Sequence, residues 1–143
     1  MKSYTIPIAI LTLVLLSTSY GQKYFPEQTS YSATKIEVAA KHYFHSLDSE
    51  NEGIIISALA QIGRMKLYFP EENFTELEKK IEDLSINGPT TNIRYRAFLV
   101  SNLFHNPATF ASIYDATFED SDALFTALSD RLNTTLLGSN SPR

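Results

Sequence analysis

Cysteine is absent from this chain, and that omission removes two ways of holding a small domain together. No disulfide can form, and no thiolates exist for a structural zinc centre, for which three histidines are a poor substitute. A basic cluster is missing too. Twelve Lys and Arg stand against 16 Asp and Glu, a net charge of −4, which argues against nucleic acid or an anionic lipid surface as a partner. No phosphate-cradling glycine loop, spaced metal signature or nucleophile with an organised base occurs, so neither a reaction nor a cofactor is expected. Stability has to come from packing.

Long apolar runs are also scarce. The longest is Ile6 to Leu16, 11 residues interrupted by Pro7 and Thr12, short of the roughly 18 that would span a bilayer. Lys2 precedes it, and Ser19-Tyr20-Gly21 puts small residues at −3 and −1 of a cut before Gln22. This is the layout of a secretory signal peptide over 1–21, cleaved after Gly21. The expectation is export to the periplasm or outside the cell. Cleavage would leave 122 of the 143 residues, enough for one domain. Without Lys2, 11 basic residues face 16 acidic ones, a net −5.

What the chain does contain is helical periodicity. Residues 22–31, with Pro26, read as an extended lead-in to a domain over 32–137. Ile36, Ala39, Ala40, Tyr43, Phe44 and Leu47 share one arc of a first helix, with Glu37 and Lys41 paired on the other side. A second helix, about 52–69, carries two apolar stripes: Ile54, Ala58, Ile62, Met65 and Phe69, then Ile56, Ala60 and Leu67. A helix with two such stripes must be covered on both. Pro70 ends it. Asn73 caps a third helix with a single stripe, Phe74, Leu77, Ile81 and Leu84, and a Glu76–Lys80 surface pair. Gly88 suits a left-handed C-terminal position, and Pro89 stops the helix. Thr90 or Thr91 caps a fourth helix, broad again, with Ile93, Ala97, Val100 and Phe104 central and Tyr95 and Phe98 on another side. Asn106-Pro107 starts a short fifth helix with Phe110, Ile113 and Tyr114. Ser121 caps a sixth, with Leu124, Phe125, Leu128, Leu132 and Leu136 inward, before a loose tail at 138–143. No segment alternates at period two, so the chain is all-α, built of about six helices in antiparallel hairpins.

Broad and narrow helices alternate, as in stacked hairpins. Residues 55–74 and 93–110 match approximately: Pro70 against Pro107 gives an offset of 37, Ala58 against Ala97 one of 39. Both are close to helical-hairpin repeat lengths. The stretch "KLYFPEENFTELEKKIEDL…TTNIRYRAFLVSNLFHNP" resembles the HEAT-like, armadillo-type helical-repeat segment of small secreted bacterial proteins of unassigned function. The residues that carry the likeness are Phe69-Pro70-Glu71, the helix 73–84 and Arg94-Tyr95-Arg96-Ala97. It covers about 52–110, roughly half of the chain that would follow cleavage. It implies a short right-handed α–α superhelix and a habit of binding protein rather than a reaction. Two units are visible, with the first and sixth helices as terminal caps.

Arg94 and Arg96 open the fourth helix, where the dipole disfavours cations. Arg94 falls on a polar flank beside Ser101 and His105. Arg96 falls between Val100 and Leu103, inside the apolar arc, and needs a carboxylate: Glu52, Glu82 or Asp83. The plain expectation is an inter-helix ion pair that sets register. The sharper one is that Arg94, Tyr95 and Arg96 offer a carboxylate-binding edge to a protein partner.

Other features carry less. His42 and His45 are three apart and could begin a metal site with His105 or a carboxylate, but two histidines on a polar face read as solvated. Asp115, Glu119, Asp120 and Asp122 lack the spacing and glycine of an EF-hand and suit a helix start. Asn73-Phe74-Thr75 and Asn133-Thr134-Thr135 match the glycosylation acceptor pattern, which matters only in a eukaryotic secretory route. Three functions follow in order: an exported, non-enzymatic interaction domain of HEAT-like type; a small metal-binding or hydrolytic enzyme using His42, His45 and residues 115–122; and an element that oligomerises through Val38, Phe98 and Phe118.

Overall fold

Ser32 precedes the first helix, α1 (Ala33–Ser46), whose Ile36 is buried and whose Glu37 and Lys41 pair at 2.9 Å on the outer face. The computed structural model describes residues 32–114 and 116–138. The signal peptide expected over 1–21, the lead-in expected over 22–31, Asp115 and residues 139–143 lie outside the described residues. Leu47 closes α1 against the core, and Asn51 then caps α2 (Glu52–Tyr68), its Oδ1 accepting from the Gly53 N–H at 2.9 Å. Next come α3 (Thr75–Asn87), α4 (Thr91–His105), a 3-10 helix (Pro107–Ile113) and α5 (Ser121–Gly138). The protein is all-α, with no strand among the described residues. No helix among them is long and apolar enough to cross a membrane.

Why α2 and α4 sit in the middle follows from their composition. In α2, Ala58, Ile62 and Met65 are buried on one stripe and Ala60 and Leu67 on the other, with Ile56 half-buried. In α4, Val100 and Phe104 are buried together with Ile93, Ala97, Leu99 and Leu103. The second stripe of α2 and the central arc of α4 are therefore covered, whereas Tyr95 and Phe98, on another side of α4, are 50% and 45% exposed. α1 packs on α2, α3 packs on α4, and α5 packs on both α2 and α4. Gly63 marks the convergence: a Cβ there would lie 3.6 Å from Leu124 and 3.7 Å from Val100.

Side-chain contacts give the directions. Phe74 meets Phe104 edge-on at 6.3 Å, and Arg94 reaches Gly88, so α3 and α4 are antiparallel. Asn92 donates to Glu52 at 2.9 Å where α2 and α4 begin, while Lys66 lies over the Phe104 ring where they end, so α2 and α4 are parallel.

Several local expectations need correction. Ile54 is 48% exposed, while Ile55, the next residue of the same turn, is buried in its place. Lys80 pairs with Asp48, in the turn after α1, and lies over the Phe44 ring rather than meeting Glu76; a carboxylate and an aromatic face together hold the ammonium better than one carboxylate alone. Gly88 is not left-handed: its φ is −55° and ψ 147°. Its lack of a side chain serves a close approach instead, since a Cβ would meet the Leu84 carbonyl oxygen at 2.5 Å. The fifth helix is 3-10, with Phe110 fully buried and the Tyr114 hydroxyl donating to the Pro107 carbonyl at 2.9 Å. Asp120, not Ser121, caps α5, its Oδ1 accepting from the Ala123 N–H at 2.8 Å. Leu136, expected inward, is 57% exposed.

Candidate functional site

Two helix caps set the site. Thr90 Oγ1 accepts from the Ile93 N–H at 3.2 Å and fixes the start of α4, so that Asn92, Tyr95 and Arg96, spaced i, i+3, i+4, share one face. The Asp120 cap does the same for α5, where Asp122, Phe125 and Thr126 are followed a turn later by Ser129 and Asp130. These eight residues line an open groove of about 330 Å³ between the two helices.

Its floor is held by Arg96. The guanidinium carbon stacks 4.5 Å from the Phe125 ring centroid, and Nε donates to Asn92 Oδ1 at 2.8 Å. Nη1 lies 2.8 Å from Asp122 Oδ1 but off the hydrogen-bonding axis, so this contact is a charge pair. The Arg96 side chain is 18% exposed and that of Asp122 74%, so the pair is anchored at its cationic end and wet at its anionic end. On the wall, the Tyr95 hydroxyl and Ser129 Oγ lie 2.9 Å apart, which holds the half-exposed tyrosine ring along the groove.

Of the three residues singled out in the sequence, Tyr95 and Arg96 line the groove and Arg94 does not. Arg94 Nη1 donates to the Gly88 carbonyl at 2.7 Å and Nη2 to Thr91 Oγ1 at 3.0 Å. Its charge therefore sits at the negative end of α3, which offsets its poor position at the positive end of α4. Arg96 does pair between helices, as its place in the apolar arc requires, but with Asp122 rather than Glu52, Glu82 or Asp83. Glu52 is taken by Asn92, Asp83 by Asn87, and Glu82 lies 3.3 Å from His105.

The remaining candidates are dispersed. His42 and His45 are exposed, with His45 edge-on to Phe44. His105 is elsewhere, its Nε2 near Glu78 and Glu82 and its Nδ1 against the Ser101 carbonyl. No group of three or more potential ligands that could hold a metal ion occurs among the described residues. Asp120 is used as a cap and Asp122 as the partner of Arg96. Val38 and Phe98 are exposed, 49% and 45%, whereas Phe118 packs on the core.

Sequence reading missed Arg64, a buried charged residue in the middle of α2. Burial lowers its pKa, while Tyr68, whose hydroxyl accepts from Nη2 at 3.3 Å, opposes that shift. On the helical wheel Arg64 shares the flank of Ser57, Gln61 and Tyr68, so periodicity gives it a polar side and no signal of burial. It also missed Thr126, Ser129 and Asp130, which nothing in α5 marks until α4 is laid beside them. Comparison with protein families, curated proteins and solved structures returned no match.

Proposed function

We propose that this chain is an exported, non-enzymatic interaction domain of HEAT-like type that receives a segment of a partner protein in the groove between α4 and α5. The observation that carries the reading is the groove itself: about 330 Å³, open to solvent, with its polar groups already oriented by neighbours on both helices. Side chains fixed before binding lose little entropy on contact, which favours recognition. Tyr95 and Arg96 are residue types that carry binding energy at interfaces. The repeat spacing of 37–39 residues and the parallel α2 and α4 support the HEAT-like assignment. The sequence of residues 1–21 supports export.

Photo-crosslinking from inside the groove tests this. A benzophenone side chain at Thr126 is expected to capture one defined partner in the producing cell, and the same group at Glu71, an exposed residue in the turn after α2, is not. Equal capture from both positions, or none from Thr126, would reject the groove as the docking surface.

A further inference from the structure

We infer that the groove between α4 and α5 selects a basic side chain of its partner, held between the carboxylate of Asp130 and the ring of Tyr95. This rests on the docking role just proposed and reverses the polarity the sequence suggests. An incoming carboxylate would need an exposed, uncompensated guanidinium in the groove, and neither arginine offers one. Arg94 does not line it, and Arg96, though its Nη1 makes no hydrogen bond, is 18% exposed and already charge-paired. Arg94 is bound to the Gly88 carbonyl and the Thr91 hydroxyl, outside the groove. Arg96 is stacked on Phe125, bonded to Asn92 and neutralised by Asp122. A carboxylate would have to displace Asp122 and would still face Asp130.

The charge count favours a cation. Arg96 is the one positive group lining the groove, Asp122 cancels it, and Asp130 remains. Among the described residues no cation forms an ion pair with Asp130. Ser129, the residue before it, meets the Tyr95 hydroxyl, so a half-exposed aromatic face and an uncompensated carboxylate share one stretch of the groove. A guanidinium or ammonium uses both at once, by charge and by the ring quadrupole. Asp122 and Asp130 are eight residues apart on α5, about 12 Å along its axis, close to four residues of extended chain. A second basic residue four positions on in an extended partner would reach the wet edge of Asp122.

The test is titration of the isotope-labelled full chain with N-acetyl-arginine amide and, separately, N-acetyl-glutamate amide, followed by two-dimensional NMR. The arginine probe is expected to give saturable shifts at Tyr95, Thr126, Ser129 and Asp130, and the glutamate probe none. Asp130→Asn should weaken arginine binding roughly two- to fivefold, while the exposed control Glu119→Gln leaves it unchanged. Preference for the glutamate probe, shifts spread over the whole acidic surface, or indifference to Asp130→Asn would overturn the inference. Crosslinking from Thr126 that captures a partner lacking any basic side chain at the contact would overturn it while leaving the docking role standing. Loss of crosslinking altogether removes both.

Discussion

Two glycines in similar company behave oppositely because of what a methyl group would touch. At Gly88 an added Cβ would lie 2.5 Å from the Leu84 carbonyl oxygen and 3.1 Å from Ile93 Cγ2, and the first of these is backbone that cannot swing aside. Gly88→Ala is expected to lower the unfolding free energy by about 1–3 kcal/mol, the usual cost of forcing extra atoms into a packed site. At Gly63 the nearest atoms are 3.6 and 3.7 Å away, ordinary contact, and the residue is mid-helix. Gly63→Ala should raise stability by about 0.5–1 kcal/mol through helix propensity. Urea denaturation of both variants checks the two signs together. At this scale the sequence was informative about need and silent about supply. The helical wheel put Arg96 where a cation must find a partner, and it did. Which acid would arrive depended on where α5 lies, a contact 26 positions away in the chain that no local pattern encodes.

Helix identity was legible because stripe width reports how many neighbours a helix has. The narrow stripe of α3 buries Leu77, Ile81 and Leu84 against α4, the second stripe of α2 is covered, and α4 buries its central arc while leaving Tyr95 and Phe98 exposed. Periodicity cannot say where a neighbour stops, and α5 shows the consequence. Leu128 is fully buried while Leu136, about two turns on in the same expected stripe, is 57% exposed; Leu137, on the opposite side from Leu128, is 74% exposed. Leu128→Ala is expected to cost about 2–5 kcal/mol, and Leu137→Ala to stay within about 0.5 kcal/mol, measured by chemical denaturation. The tie between α4 and α5 divides the same way. Asp122→Asn removes only the wet half of a pair and should cost under about 1 kcal/mol. Arg96→Ala also loses the stacking on Phe125 and the stem packing, so it should cost more, about 1–2 kcal/mol. A double-mutant cycle between the two positions isolates the charge contribution.

For the whole molecule, the question is whether five α-helices and a 3-10 turn behave as a row of repeats or as one cooperative body. In a row, each hairpin touches only its neighbours, so loss of the last element leaves the rest standing. Here α5 lies on both α2 and α4 and contributes Leu124, Phe125 and Leu128 to the core, while Arg131 reaches the Thr109 carbonyl in the 3-10 helix. Burial of three such side chains is worth roughly 1.5–3 kcal/mol each. That sum is comparable to the roughly 5–15 kcal/mol that holds a typical domain, and no disulfide is available to make up the difference. A chain ending at Phe118 would leave the Gly63 and Val100 flank uncovered. It is expected to bind a hydrophobic dye and to lose its sharp thermal transition, keeping helical circular dichroism at most in part. A truncated chain that still unfolds in one sharp step would show instead that the two hairpins stand by themselves, with α5 an appended element that supplies one wall of the groove.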